Sequence, residues 1–350
     1  MQINVDAKIR IKDPTPAIKE WCRNSLVIDN PEYYKMERLG KWTGNTPQTI
    51  QLYEVVGDEY YIPFGCLQKI WSLCVRGIQW NVNIGPIRAF NYDSHINLYQ
   101  YQNKAVNEVV RRKNGILVMP CGSGKTQSGL EAIARIGGRA LWLTHTQDLL
   151  NQSKKRAESV LGNPGCGTIT AGKVNIGEGI TFATVQTMAN IDLSQFRDYW
   201  DIIICDECQH CAGSPTRVTQ FYKVMSSLCA RYKIGLTATP KRADGLERSM
   251  FALLGGIIHE IKGEEVDTTC PIKVQKIDTG WMPDLDSILA GDGTIEYHKL
   301  VADLVANRQR MELVGDVINE YAQQGGMIVL ANRLRYLDAL KDYCDDLKAV

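Results

Sequence analysis

No stretch of this chain approaches the roughly 20 consecutive apolar residues needed to cross a bilayer. Its opening, Met-Gln-Ile-Asn-Val-Asp, lacks the basic start and apolar core of an export signal, so neither a membrane span nor secretion is expected, and a cytoplasmic location is. Charge of either sign is not in excess: 40 Lys and Arg against 39 Asp and Glu leave a net +1. That excludes a chain that coats nucleic acid through a global basic field, while a localised groove stays open. A disulfide framework is not expected either, because the 11 cysteines are odd in number and scattered through apolar stretches. What remains, 44% hydrophobic and 23% charged residues over 350 positions, is the composition of a globular protein with two or three domains.

The most informative stretch runs from Ile116 to Thr126. Ile116-Leu117-Val118-Met119 reads as a buried parallel strand, and Leu130, Ile133 and Ala134 mark one face of a helix opening at Lys125-Thr126. Between them lie Pro120, Cys121, Gly122, Ser123 and Gly124. A polyphosphate needs this order of parts. The two glycines let successive N–H groups turn inward, and the helix start adds partial positive charge. Lys125 is placed for the β- and γ-phosphates of a nucleoside triphosphate, and the Thr126 hydroxyl for Mg²⁺. Met119 stands where the strict pattern has its first glycine.

Other apolar runs separated by helical patterns follow: Arg139–Leu143 before Thr144-His145-Thr146, Ile180–Thr184, Asp201–Cys205 before Asp206-Glu207, and Tyr232–Leu236 before Thr237-Ala238-Thr239-Pro240. Alternating strands and helices predict an α/β fold with a doubly wound parallel sheet of the P-loop NTPase kind. Each polar motif follows a strand, so all should meet at the carboxyl edge of the sheet, where ligands bind. Asp206 and Glu207 lie about 80 residues beyond the phosphate loop. One carboxylate can hold Mg²⁺ and the other can orient and deprotonate an attacking water. Cys205, Cys208, His210 and Cys211 have no second ligand pair nearby, so no zinc site is expected.

Together these motifs resemble a superfamily 2 helicase of the DEAD/DEAH type, in the XPB and UvsW branch. Cys121–Thr126 resembles motif I, Thr144–Thr146 motif Ia, Asp206-Glu207-Cys208-Gln209 motif II, and Leu236–Pro240 motif III. Thr184-Val185-Gln186-Thr187 is similar to a run found in that branch. The resemblance implies a RecA-like domain that binds ATP and Mg²⁺. It assigns Lys125 and Thr126 to the phosphates and the ion, Asp206 to the ion, Glu207 to water activation and Gln102 to adenine. Thr237 and Thr239 would couple nucleotide state to nucleic acid, while Thr144 and Thr184 would touch its backbone. Gln209 joins the catalytic set at the place where the commoner box ends in His or Asp, a departure that bears on that coupling.

Four of the seven tryptophans lie in residues 1–88, with turn signals at Asp13-Pro14, Asn30-Pro31, Gly44-Asn45 and Gly57-Asp58. A small α+β accessory domain is expected there, with a hairpin about Gly57 and with its aromatics mainly in the core, although Lys35, Arg38 and Lys41 suit nucleic acid. Its Asn30–Tyr34 and Pro63–Gly65 stretches are similar to the amino-terminal module of archaeal XPB-like and phage helicases. The expected boundaries are 1–88 for this domain, 89–262 for the RecA-like domain, 263–295 for a connector and 296–350 for the start of a second RecA-like domain. In the last, 326–333 reads as a strand and Leu334–Leu347 as a helix. No Gln-x-x-Gly-Arg-x-x-Arg motif is present, so the expectation is a truncated motor. Its hydrolysis should be slowed by the roughly 10³- to 10⁵-fold that such arginines contribute.

The function these readings predict is an ATP-dependent DNA helicase or translocase acting on branched or duplex DNA in repair or recombination. It should be a monomer and a nucleic-acid-stimulated ATPase, encoded by a bacterium or a phage. The alternatives are the motor of a restriction system, an RNA helicase, and a module that holds ATP and nucleic acid without turnover. No Pro-Asp…Glu-x-Lys nuclease pattern supports the restriction reading.

Overall fold

Alternating apolar residues at the start of the chain, Ile3 and Val5, then Ile9 and Ile11, put one face of two antiparallel strands into a core. These are β1 (Gln2–Val5) and β2 (Lys8–Lys12). The computed structural model describes residues 1–74, 78–210, 214–241, 244–266, 273–290, 294–331 and 333–344, in two units, 1–269 and 270–350. Helix Pro16–Ser25 follows β2, then β3 (Val27–Asp29), helix Pro31–Arg38 and β4 (Thr49–Gln51). The expected hairpin is present as β5 (Glu54–Val56) and β6 (Glu59–Pro63), turning at Gly57 with φ 63°. After helix Leu67–Leu73, β7 (Trp80–Val82) joins β1 in parallel, giving the order β5-β6-β2-β1-β7.

The expectation for the aromatics holds in part: Tyr53 and Phe64 are buried in the core and Trp21, Tyr60 and Trp80 pack against it. Trp42 is 87% and Trp71 64% exposed, while Ile3, Val5, Ile9, Ile11, Ile18 and Ile62 fill the interior. Compact aliphatics on alternating positions fill most of this small two-layer core, and the indoles of Trp21 and Trp80 pack at its margin. Val218, Leu246 and Ala252 of the larger α/β domain belong to the same cluster.

In the α/β domain the short β8 (Asp93–Ser94) pairs with β11 (Leu161–Gly162). Its main sheet takes β9 (Asn114–Val118), β10 (Ala140–Thr144), β12 (Gly167–Thr170), β13 (Lys173–Asn175), β14 (Ile180–Thr184), β15 (Ile202–Cys205), β16 (Tyr232–Thr237) and β17 (Ile257–Glu260). The order is β13-β12-β14-β10-β15-β16-β9-β17, and every pair except β12–β13 is parallel. Strand residues alternate between two cores. Leu117, Trp142, Phe182, Ile204 and Leu236 face helices Gln100–Arg112, Lys125–Ile136 and Gln147–Val160. Val118, Leu143, Ala183 and Ile203 face helices Val185–Asn190, Pro215–Ser227 and Glu247–Leu254. This is the doubly wound sheet that the continuous apolar runs predict.

Lys233 on β16 is fully buried, and its Nζ donates to Ala7 O (3.3 Å) and Met225 O (2.8 Å). Burial pushes its ammonium down from 10.5 to about 7. Between those values the unfolded chain binds the proton and the folded chain does not, so this lysine makes stability rise with pH across that window. Lys233→Met is therefore expected to differ from wild type most at pH 7 and below. The gap should close at up to about 1.4 kcal/mol per pH unit above that. Urea unfolding at several pH values measures this, and a gap unchanged from pH 7 to 10 would contradict it.

The unit 270–350 holds helices Tyr297–Ala306, Arg308–Ala322 and Leu334–Leu340 around Met311, Ile318, Tyr336 and Leu340. The strand expected over 326–333 does not form among the described residues, and Ile328 and Leu330 are 85% and 88% exposed. A strand exists through its ladder, and no other named strand lies in this unit to pair with it. The last helix is also shorter than expected, and positions 345–347 lie outside the described residues.

Candidate nucleotide site at the sheet edge

The loop after β9 is set by its glycines. Gly122 and Gly124 have φ 77° and 85°, and Gly124 is the residue from which helix Lys125–Ile136 starts. Ser123 Oγ donates to Pro120 O (2.6 Å), closing the turn. Met119, in the place of the first glycine, is buried, and its N–H donates to Thr237 O (2.9 Å), so there it continues the sheet. The Gln102 side chain is buried and committed to protein groups. Its Oε1 accepts from Tyr99 N–H (2.9 Å) and its Nε2 donates to Ser123 O (2.8 Å). Tyr101 OH reaches the same carbonyl at 3.3 Å. Gln102 thus braces the loop from behind.

Asp206 and Glu207 leave β15 facing this loop. Asp206 is 4% exposed; its Oδ1 accepts from Glu207 N–H (3.0 Å) and its Oδ2 from Ser153 Oγ (3.4 Å). Burial first, and the Glu207 charge second, push its carboxyl up to about 6. Glu207 has φ 46°, a left-handed conformation uncommon for a non-glycine residue. Lys125 Nζ lies 3.4 Å from Glu207 Oε1. These side chains and Thr126 line a cavity of about 500 Å³, whose far wall is helix Gln147–Val160. Ser153 on that wall was not legible in the sequence, since a polar stripe on a helix after a strand reads equally well as a solvated face. A larger cavity of about 710 Å³ lies beside the accessory sheet, but its Lys8, Arg10 and Arg197 are already paired with Glu54 and Asp6.

A chain of hydrogen bonds leaves Glu207 for the next strand. Gln209 Nε2 donates to Glu207 Oε2 (2.8 Å), Thr237 Oγ1 donates to Gln209 Oε1 (2.6 Å), and Thr239 N–H donates to Thr237 Oγ1 (3.1 Å). An amide can do this because it donates at one end and accepts at the other. Thr144 and Thr184 end neighbouring strands, with Thr144 Oγ1 donating to Thr146 O (3.0 Å) and Thr184 capping helix Val185–Asn190. Both hydroxyls shape their loops. Gln186 Nε2 ties the two loops by donating to His145 O (3.1 Å). Cys205 and Cys208 are buried, and Cys211 lies outside the described residues.

Residues 95–242 match the family model described as type III restriction enzyme, res subunit. The chain is 33% identical over 173 residues to the DNA 3'-5' translocase XPB2 of Sulfurisphaera tokodaii, covering 49% of this chain and 37% of that protein. It is 31% identical over 170 residues to the DNA 3'-5' helicase XPB of Kineococcus radiotolerans, covering 45% and 29%. Over this region the chain is similar to superfamily 2 helicase cores of the XPB/UvsW-like type. A crystal structure of the UvsW helicase from bacteriophage T4 shares the fold of this chain at 17% identity, with a TM-score of 0.52 over 73% of this chain and 99% of that one. The chain spans about a third of the length of the two curated relatives named here. Among the described residues no helix is long and apolar enough to cross a membrane.

Proposed function

We propose that this chain is the motor part of an ATP-dependent DNA helicase or translocase. The observation that carries the reading is the hydrogen-bonded run from Glu207 through Gln209 to Thr237 and Thr239, because it connects a hydrolytic carboxylate to a second loop on the same sheet edge. Gly122 and Gly124 shape the cradle for the triphosphate, and Lys125 supplies its charge. The carboxylates fit a divalent cation. Asp206 is buried beside a second carboxylate, and burial first and that charge second push its carboxyl up. Asp206 and Thr126 would hold Mg²⁺, which when bound offsets charge on the phosphates. Glu207 takes the proton of the attacking water. Lys125 pairs with Glu207, and phosphates that draw the lysine away would leave the carboxylate free to act as base.

DNA is the proposed track, in line with the DNA translocase and DNA helicase names of the XPB relatives. ATPase rates with forked DNA, duplex, single strands and RNA test this, and a rate indifferent to every nucleic acid would end the motor reading. Within it, Gln209→Ala is expected to lower the DNA-stimulated rate about tenfold, the worth of a hydrogen bond to a charged group, with ATP binding little changed. Gln209→His should recover much of the loss, since imidazole also donates at one nitrogen and accepts at the other. Equal stimulation in wild type and Gln209→Ala would show that the connection carries no signal.

A further inference from the structure

Helix Gln147–Val160 is fixed against the nucleotide cavity at three points. Thr146 caps it by accepting from Leu149 N–H (3.3 Å), Leu150 and Ala157 bury its inner face, and Ser153 holds Asp206. On the cavity side, Leu149, Gln152 and Arg156 recur at helical spacing and form the outer wall. Arg156 is exposed and enters no ion pair among the described residues, whereas its neighbour Lys154 is paired with Glu158 at 3.5 Å. Apart from Lys125, it is the one cation among the described residues that line this cavity.

Charge makes its position informative. Asp206 and Glu207 outweigh Lys125 by one negative charge, and a magnesium-bound triphosphate brings roughly two more. A guanidinium presents a planar fork of donors that matches two phosphate oxygens, which the point charge of a lysine does not.

We propose that Arg156 is a phosphate-contacting residue, closing its guanidinium over the terminal phosphate of a bound nucleoside triphosphate from within the same domain. This rests on the nucleotide reading of the cavity. It distinguishes triphosphate from diphosphate at a position that no motif marks, since Lys125 serves the inner side of the phosphates and Arg156 the outer.

Equilibrium binding of a non-hydrolysable magnesium–ATP analogue and of magnesium–ADP tests it, on wild type, Arg156→Ala, Arg156→Lys and Lys125→Ala. Arg156→Ala is expected to weaken the triphosphate analogue about ten- to a hundredfold and ADP under about threefold, with Arg156→Lys in between. Arg156 is solvent-exposed, so unchanged thermal melting of its variants is expected and checks that folding is intact. Equal losses for both nucleotides, or no loss while Lys125→Ala loses both, overturn the terminal-phosphate contact and leave the nucleotide site standing. If Lys125→Ala also binds like wild type, the nucleotide reading fails and this inference with it.

Discussion

Glu207→Gln is expected to lower ATP turnover by about 10³-fold, within the range that a positioned general base contributes, while ATP still binds. The substitution is nearly isosteric, so the left-handed backbone at this position, φ 46°, need not change. The side-chain oxygen can go on accepting from Gln209 Nε2, now 2.8 Å from Oε2. What disappears is the proton acceptor. Removing its charge also releases Lys125, which stands 3.4 Å away, so ATP affinity should hold or rise. Single-turnover hydrolysis and equilibrium ATP binding, measured side by side, separate the two effects. A turnover loss smaller than tenfold would mean that water is activated elsewhere.

Gly124→Ala should abolish nucleotide binding more completely than Gly122→Ala, although both glycines have positive φ, 85° and 77°. Strain in the left-handed region costs about 1–2 kcal/mol at either position. At Gly122 nothing lies within 4 Å of an added Cβ, so that strain is the whole penalty, a loss of roughly tenfold. At Gly124 the added Cβ overlaps Gln102 Nε2. The amide must then leave the Ser123 carbonyl, now 2.8 Å away, inside a buried site. Breaking that bond costs about 1–3 kcal/mol more and unbraces the loop. The expected loss at Gly124 is therefore about a hundredfold or more, read by nucleotide titration with thermal melting as the folding control. Equal effects at the two positions would show that Gln102 does not brace the loop.

Much of this site is legible in the sequence because parallel strands are buried on both faces. Ile116–Met119, Ile180–Thr184 and Asp201–Cys205 are uninterrupted or nearly uninterrupted apolar runs, and the polar residues after them fall at one sheet edge. The accessory sheet is harder to read. Its strands are three to five residues long, too short for alternation to stand out. Asn30-Pro31 reads as a turn but is a helix start, with Asn30 as cap and Pro31 in the first turn of the helix; Thr15-Pro16 does the same after Asp13-Pro14. The cap and the turn use the same residues, and what decides is the helical face that follows. Strand 326–333 illustrates the opposite error, since an apolar run says nothing of whether a partner strand is at hand. The bracing role of Gln102 and the Ser153 contact depend on residues distant in sequence, and no local pattern encodes them.

The accessory sheet and the motor share one apolar cluster, and the buried amine of Lys233 is anchored on the carbonyl of Ala7. Lys233 and Thr237 belong to the same strand, β16, one near each end. A boundary near residue 88 is thus a division of the sequence without a mechanical joint. Load placed on the accessory sheet is therefore expected to reach the strand whose far end holds the threonine bonded to Gln209.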